Sequence, residues 1–97
     1  MAHKVRWSPR AVSHLEGICS YIAADSEYYA SYFARKILTI VQSLVQFPKS
    51  GRIVPEYRDE NIRERIYGDY RIVYRLKDNC VEIAAIHHGA RPLSKVD

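Results

Sequence analysis

The sequence predicts an α+β fold in the order β-α-α-β-β-β. An N-terminal strand and a helical hairpin pack on one face of a mainly antiparallel sheet. Three observations predict it. An apolar seam of Ala30, Phe33, Ile37, Ile40, Leu44 and Phe47 recurs at alternating spacings of three and four and stops at Pro48. Three β-rich runs between Ile62 and Arg91 are joined by the turn signals Gly68-Asp69 and Asp78-Asn79. A short alternating run, Val5-Arg6-Trp7, precedes everything else.

Taken in order, the His3–Trp7 run reads as a strand. Ser8 can cap a first helix and Pro9 suits its first turn. Val12, Leu15, Ile18 and Ile22, with Cys19 beside them, place one apolar stripe along that helix. After Ala24-Asp25-Ser26, where Asp25 or Ser26 can cap, the second helix carries the seam. So short a link makes the pair an antiparallel hairpin. Tyr21, Tyr28, Tyr29 and Tyr32 cluster around the bend, where partly buried packing is the expectation and a partner patch the alternative.

Pro48 to Arg52 reads as a turn and residues 53–61 as a connector, because Pro55 argues against a central strand there. In the next runs Tyr70, Ile72, Tyr74 and Leu76 share one face, and Arg71, Val73, Arg75 and Lys77 the other. The sheet is therefore expected to have one face on the helices and one largely polar. The parity of residues 62–67 stays open. A two-residue turn at Gly68-Asp69 puts Arg63 and Arg65 beside the Tyr/Ile face. A bulged connection puts them beside Arg71 and Arg75 and segregates charge better.

The 97 residues are expected to form one domain, long enough to bury a core without staples. Hydrophobic content of 47% and charged content of 27% indicate a globular chain, not a disordered one. No run approaches the ~18 apolar residues of a membrane span, and the first residues lack the apolar stretch of a secretory signal. Two cysteines, Cys19 and Cys80, lack metal-ligand spacing and fit a reduced cytoplasmic setting. A net charge of +4 and a pI near 9.2 favour an acidic partner or nucleic acid, although an ordinary basic domain fits as well.

The candidate chemistry is narrow. There is no nucleophile elbow and no phosphate loop. His87 and His88 are adjacent in a strand and point to opposite faces, which is poor geometry for a shared metal, so no metal or cofactor is expected. A basic, aromatic sheet surface remains: Arg63 or Arg65, Arg71, Arg75 and Arg91, with Tyr67 and the two histidines. Such groups can hold phosphates and move protons. They can equally pair with Glu56, Glu60, Glu64, Asp69 and Glu82 and keep the outer face wet.

The element order, Trp7-Ser8-Pro9-Arg10-Ala11, Phe47-Pro48-Lys49-Ser50-Gly51-Arg52, Ile62-Arg63-Glu64, Tyr70-Arg71-Ile72-Val73-Tyr74-Arg75 and His88-Gly89-Ala90-Arg91 together resemble the RelE/ParE toxin superfamily over almost the whole chain. The resemblance implies the stable half of a type II toxin–antitoxin pair, with growth inhibition and plasmid stabilisation as roles. It implies a cognate antitoxin that wraps the toxin and links it indirectly to operator DNA.

Two branches follow from the resemblance. RelE-like members cleave mRNA on the ribosome; ParE-like members poison DNA gyrase. Arg71 and Arg91 match arginines of the RNase branch, and His87 or His88 could supply a general base. The lysine pair of that branch falls at Ile62 and Glu64, and residues 93–97 hold no tyrosine. Residues 51–56, 62–64 and 88–91 look more ParE-like, so gyrase inhibition is the expected activity. A metal-independent endoribonuclease and a non-toxic interaction module are the alternatives. Arg52, Glu56, Arg63, Arg65 and Arg75 are the expected partner-binding residues.

Overall fold

The strand order β1-β5-β4-β3-β2 explains how one sheet can carry both a helical layer and a charged site. The computed structural model describes residues 4–89. β1 (Lys4–Trp7) runs parallel to β5 (Cys80–His88) at one edge. β3 (Ile62–Tyr67), β4 (Tyr70–Lys77) and β5 form an antiparallel meander, and β2 (Arg52–Ile53) closes the other edge against β3. The arrangement is the expected α+β order with one short strand added.

α1 (Pro9–Ala23) starts at Ser8, whose side chain accepts from the Ala11 N–H and donates to the Ala84 carbonyl at 3.1 Å. One hydroxyl thus caps the helix and satisfies β5 beyond the end of β1. α2 (Glu27–Ser43) is capped by Ser26, not Asp25. Phe33, Ile37, Val41 and Leu44 form its buried seam against Ile72, Tyr74, Val81, Ile83 and Ile86, and Ala30 is buried on the same helix.

Four expectations need correcting. Phe47 is not part of the seam: α2 ends at Ser43, the chain leaves helical register, and Phe47 is 63% exposed. On α1, Ala11 is buried while Val12 is exposed, because close approach to the sheet favours the small side chain. The tyrosines at the bend are exposed rather than packed; Tyr28 and Tyr29 meet edge to face, and the Lys36 ammonium lies over the Tyr32 ring. The outer sheet face is not simply polar. Residues after β2 fold over it, and Val54 packs with Val73 and Ala85, flanked by Tyr57 and Ile62.

The register settles the open parity. Arg63 lies opposite Tyr74 and Arg65 opposite Ile72, so the connection is the two-residue one. Gly68, at φ +57°, supplies the left-handed turn conformation. Both arginines sit on the helix side of the sheet and reach its margin. Arg63 donates to the Glu60 and Gly51 carbonyls; Arg65 donates to the Ser43 and Ser50 hydroxyls.

Tyr74 ties the same turn down from within. Its hydroxyl donates to the Pro48 carbonyl at 2.8 Å and accepts from the Gly51 N–H at 2.9 Å. Burial pushes the phenol above its ordinary value, while the Gly51 bond and the nearby Arg63 and Arg65 pull it back. A raised value gives stability that is complete below the ordinary phenol pKa and lost as pH climbs through the folded one. Tyr74→Phe should therefore cost about 1–3 kcal/mol near neutrality, from two orphaned backbone groups. It should also decline less steeply than the parent above about pH 10. Urea titrations at successive pH values measure both; an unchanged alkaline slope contradicts the assignment.

Candidate functional site

β2, β3, β4 and the covering segment bring four charged side chains together on the outer face. Glu64, in the middle of β3, is 1% exposed and carries the assembly. Its Oε1 accepts from Arg71 Nε at 2.6 Å, and its Oε2 accepts from Arg52 Nε at 2.6 Å. The two Nη atoms of Arg71 donate to the two oxygens of Glu56, each at 2.8 Å. Such a fork-to-fork pair is the strongest carboxylate geometry available to arginine.

The quartet is electroneutral, and its two inner members are buried. The Glu56 hydrogen bonds chiefly, set against burial and joined by Glu64, hold the Arg71 guanidinium protonated to well above its usual value. Arg71, expected as a phosphate-binding group, is thus engaged on both sides by carboxylates. A hollow of about 280 Å³ lies beside it, lined in part by Arg52, Asp69 and His88.

The histidines diverge as strand alternation requires. His87 lies opposite Arg71, and His88 opposite Tyr70, whose ring it meets edge to face. His87 also contacts His14 of α1, with ring centroids 4.9 Å apart. His14 Nδ1 accepts from the Ile86 N–H, so α1 again completes the free edge of β5. Arg91 lies outside the described residues.

A second charged cluster occupies the other end of the same face. Glu82 faces Arg6 on one side and Arg75 on the other. Arg75 Nη2 lies 3.0 Å, Lys77 Nζ 3.4 Å and Arg6 Nη2 3.9 Å from its carboxylate.

The expected partner-binding residues are therefore distributed, not clustered. Arg52 and Arg75 stand on the outer face at opposite ends. Glu56 closes over Arg71. Arg63 and Arg65 brace the turn on the helix side. The sequence reading left Glu64 among five possible pairing carboxylates and did not see it as the hub. The available signal was a lone carboxylate alternating with arginines in a strand whose neighbours are apolar. His14 was missed, because nothing in a helix of ordinary spacing marks contact with a distant strand edge.

Comparison with known proteins places this geometry. The profile of the family described as the ParE toxin of the type II toxin–antitoxin system parDE matches residues 5–93. The toxin candidate Y4kP of Sinorhizobium fredii is 34% identical over 88 residues, covering 89% of this chain and 88% of that protein. Toxin RelE2 of Caulobacter vibrioides is 32% identical over 88 residues, covering 91% and 97%. In fold, the chain resembles a chain of the chromosomal ParDE toxin–antitoxin system from P. aeruginosa, with TM-score 0.73, 19% identity and coverage of 90% and 96%. It also resembles a chain of the RelBE2 toxin–antitoxin complex from Mycobacterium tuberculosis, with TM-score 0.57, 22% identity and coverage of 91% and 99%.

Proposed function

Because this chain belongs to the ParE toxin family of type II toxin–antitoxin systems, we propose that it is a toxin that inhibits DNA gyrase and is neutralised by a cognate antitoxin. The observation that carries the choice of target is the closed state of Arg71. Cleavage through a ribose 2′-hydroxyl needs cationic groups free to meet a phosphorane. Here Arg71 is held by Glu56 and Glu64, and Ile62 and Glu64 occupy the positions where the RNase branch carries lysines. Glu64, buried and paired to Arg52 and Arg71, offers no cation to an RNA phosphate. A toxin that acts by binding needs no such free groups.

Incubation of the purified protein with gyrase and relaxed plasmid tests this. Supercoiling should fall with toxin concentration, and cleavage complexes should accumulate. Full supercoiling at a large excess of folded protein would overturn the reading. The kinship to a protein named RelE2 supports mRNA cleavage as the second reading. Mapping mRNA 5′ ends after induction separates the two. No new ends in translated codons are expected; cuts there that disappear in His87→Ala would replace gyrase with the ribosome.

The antitoxin is expected to cover the outer face, where the Arg52, Glu56 and Arg75 side chains keep exposed surface. Growth arrest on expression alone, relieved by the antitoxin, excludes a non-toxic module.

A further inference from the structure

A groove of about 650 Å³ opens at the end of the sheet where β4 turns into β5. Phe47 and Pro48 line one wall and Leu76 the other, with Lys49, Lys77 and Asp78 on its rim. Phe47 is exposed because α2 ends before it, and its backbone N–H is already satisfied by the Ser43 carbonyl. The Pro48 wall is held by Tyr74, so the groove is preformed rather than induced.

Lys77 joins this groove to the outer-face cluster, since its Nζ reaches Glu82. Lys4 and Lys77 flank Cys80 in one cross-strand row, and Arg6 and Arg75 flank Glu82 in the next. Arg6, Arg75 and Lys77 thus gather on Glu82 with Lys4 in the adjoining row, and Lys49 and Lys77 share the groove with Asp78. Unlike the Arg52–Glu64–Arg71–Glu56 quartet, this cluster is not neutral. Arg75 Nε is buried without a hydrogen-bond partner, and Glu82 Oε1 lies near its cations without a well-aligned hydrogen bond.

We propose that the groove and its cationic margin dock an acidic protein segment bearing one or two bulky apolar side chains. The apolar anchors enter between Phe47 and Leu76, and the segment's carboxylates meet Lys49, Lys77 and Arg75. The chemistry favours this occupant over two others. A nucleic acid brings negative charge but no bulky aliphatic side chain to fill the space between Phe47 and Leu76. A second copy would bring two cationic rims together. The inference deepens the antitoxin half of the function proposed above and rests on it for the partner's identity. The gyrase half is independent.

The test is an NMR titration of the isotope-labelled full chain with a synthetic acidic peptide carrying two leucines one helical turn apart. Saturable shifts are expected at Phe47, Ser50, Leu76 and Asp78. Binding should weaken about tenfold or more when serine replaces both leucines, in Lys77→Glu, or in Phe47→Ser. Both variants alter exposed side chains, and the dispersion of each spectrum reports whether it is folded. Absence of binding, equal binding of the serine peptide, or shifts elsewhere overturns the proposal. So does tighter binding of a single-stranded oligonucleotide, or a concentration-dependent dimer that buries Phe47. Supercoiling is assayed on the parent chain without peptide, so this docking site and the gyrase reading fail separately.

Discussion

Replacing Arg71 with alanine should lower the unfolding free energy by about 3–5 kcal/mol, the cost of leaving buried carboxylate charge uncompensated. Glu64 would keep only the largely exposed Arg52 as a partner, and Glu56 would lose its bidentate clamp. For a domain of ordinary stability this is a large fraction of the total. Arg71 itself adds no pH dependence near neutrality. A folded-state value raised above the unfolded one gives stability that is complete below the unfolded value and is lost only in strong alkali.

The triple variant Arg71→Met, Glu56→Gln, Glu64→Gln should be closer to the parent than Arg71→Ala, because it leaves no buried charge without a partner. Urea denaturation measures both. A loss under about 1 kcal/mol in Arg71→Ala would contradict a buried, paired guanidinium. The pair of variants also separates structure from chemistry. Loss of toxicity in Arg71→Ala reports structure where its urea curve shows the chain unfolded. A folded triple variant that still inhibits gyrase supports a binding toxin, and a folded triple variant without growth arrest points to a functional guanidinium.

Gly51→Ala should cost about 3 kcal/mol through overpacking and the displaced Tyr74 hydroxyl. A Cβ there would stand 2.5 Å from the Glu64 carbonyl oxygen and 2.6 Å from the Tyr74 hydroxyl. The first of these is backbone and cannot swing aside. β2 would have to move from β3, taking Arg52 away from Glu64 one residue later. Thermal unfolding should shift down by roughly 12–24 °C for a domain of this size. A shift within a few degrees would mean that the turn relaxes freely and that β2 is not pinned by close approach.

These two sites show where sequence reasoning reaches and where it stops. The alternation in residues 70–77 and the spacing of residues 30–44 placed the helical hairpin on the correct sheet face. Both signals repeat within one element, so they survive without tertiary knowledge. Ser8 was readable as a cap, and Ser26 as one of two candidates with Asp25, because capping is local to one turn. Phe47 misled, because helical spacing continues on paper past the point where the backbone leaves the helix. The tyrosines at the bend misled because aromatic character does not say which side of a helix has a neighbour.

The site was legible in its residue types and not in its pairings. Which carboxylate meets Arg71 depends on a loop folding back over the outer face, and no local pattern in residues 54–60 encodes that. The parity of Arg63 and Arg65 turned on a single residue of turn length. A bulge opposite Val73–Tyr74 is comparable. It leaves Ala84 unmatched, so Ile86 enters the core while His87 moves to the outer face opposite Arg71.

By itself, then, the sequence determined the α+β order, the buried faces of α2 and β4, the net positive charge and the kinship to type II toxins. Each rests on periodicity, composition or ordered short motifs. Only the tertiary structure decided that Arg71 is closed by Glu56 and Glu64, that Arg63 and Arg65 brace a turn, and that Lys77 joins the cations around Glu82 to a groove lined by an exposed phenylalanine. Ion pairs between distant strands depend on register. Register is set by turns and bulges one residue long, where a single step exchanges the two faces of a strand.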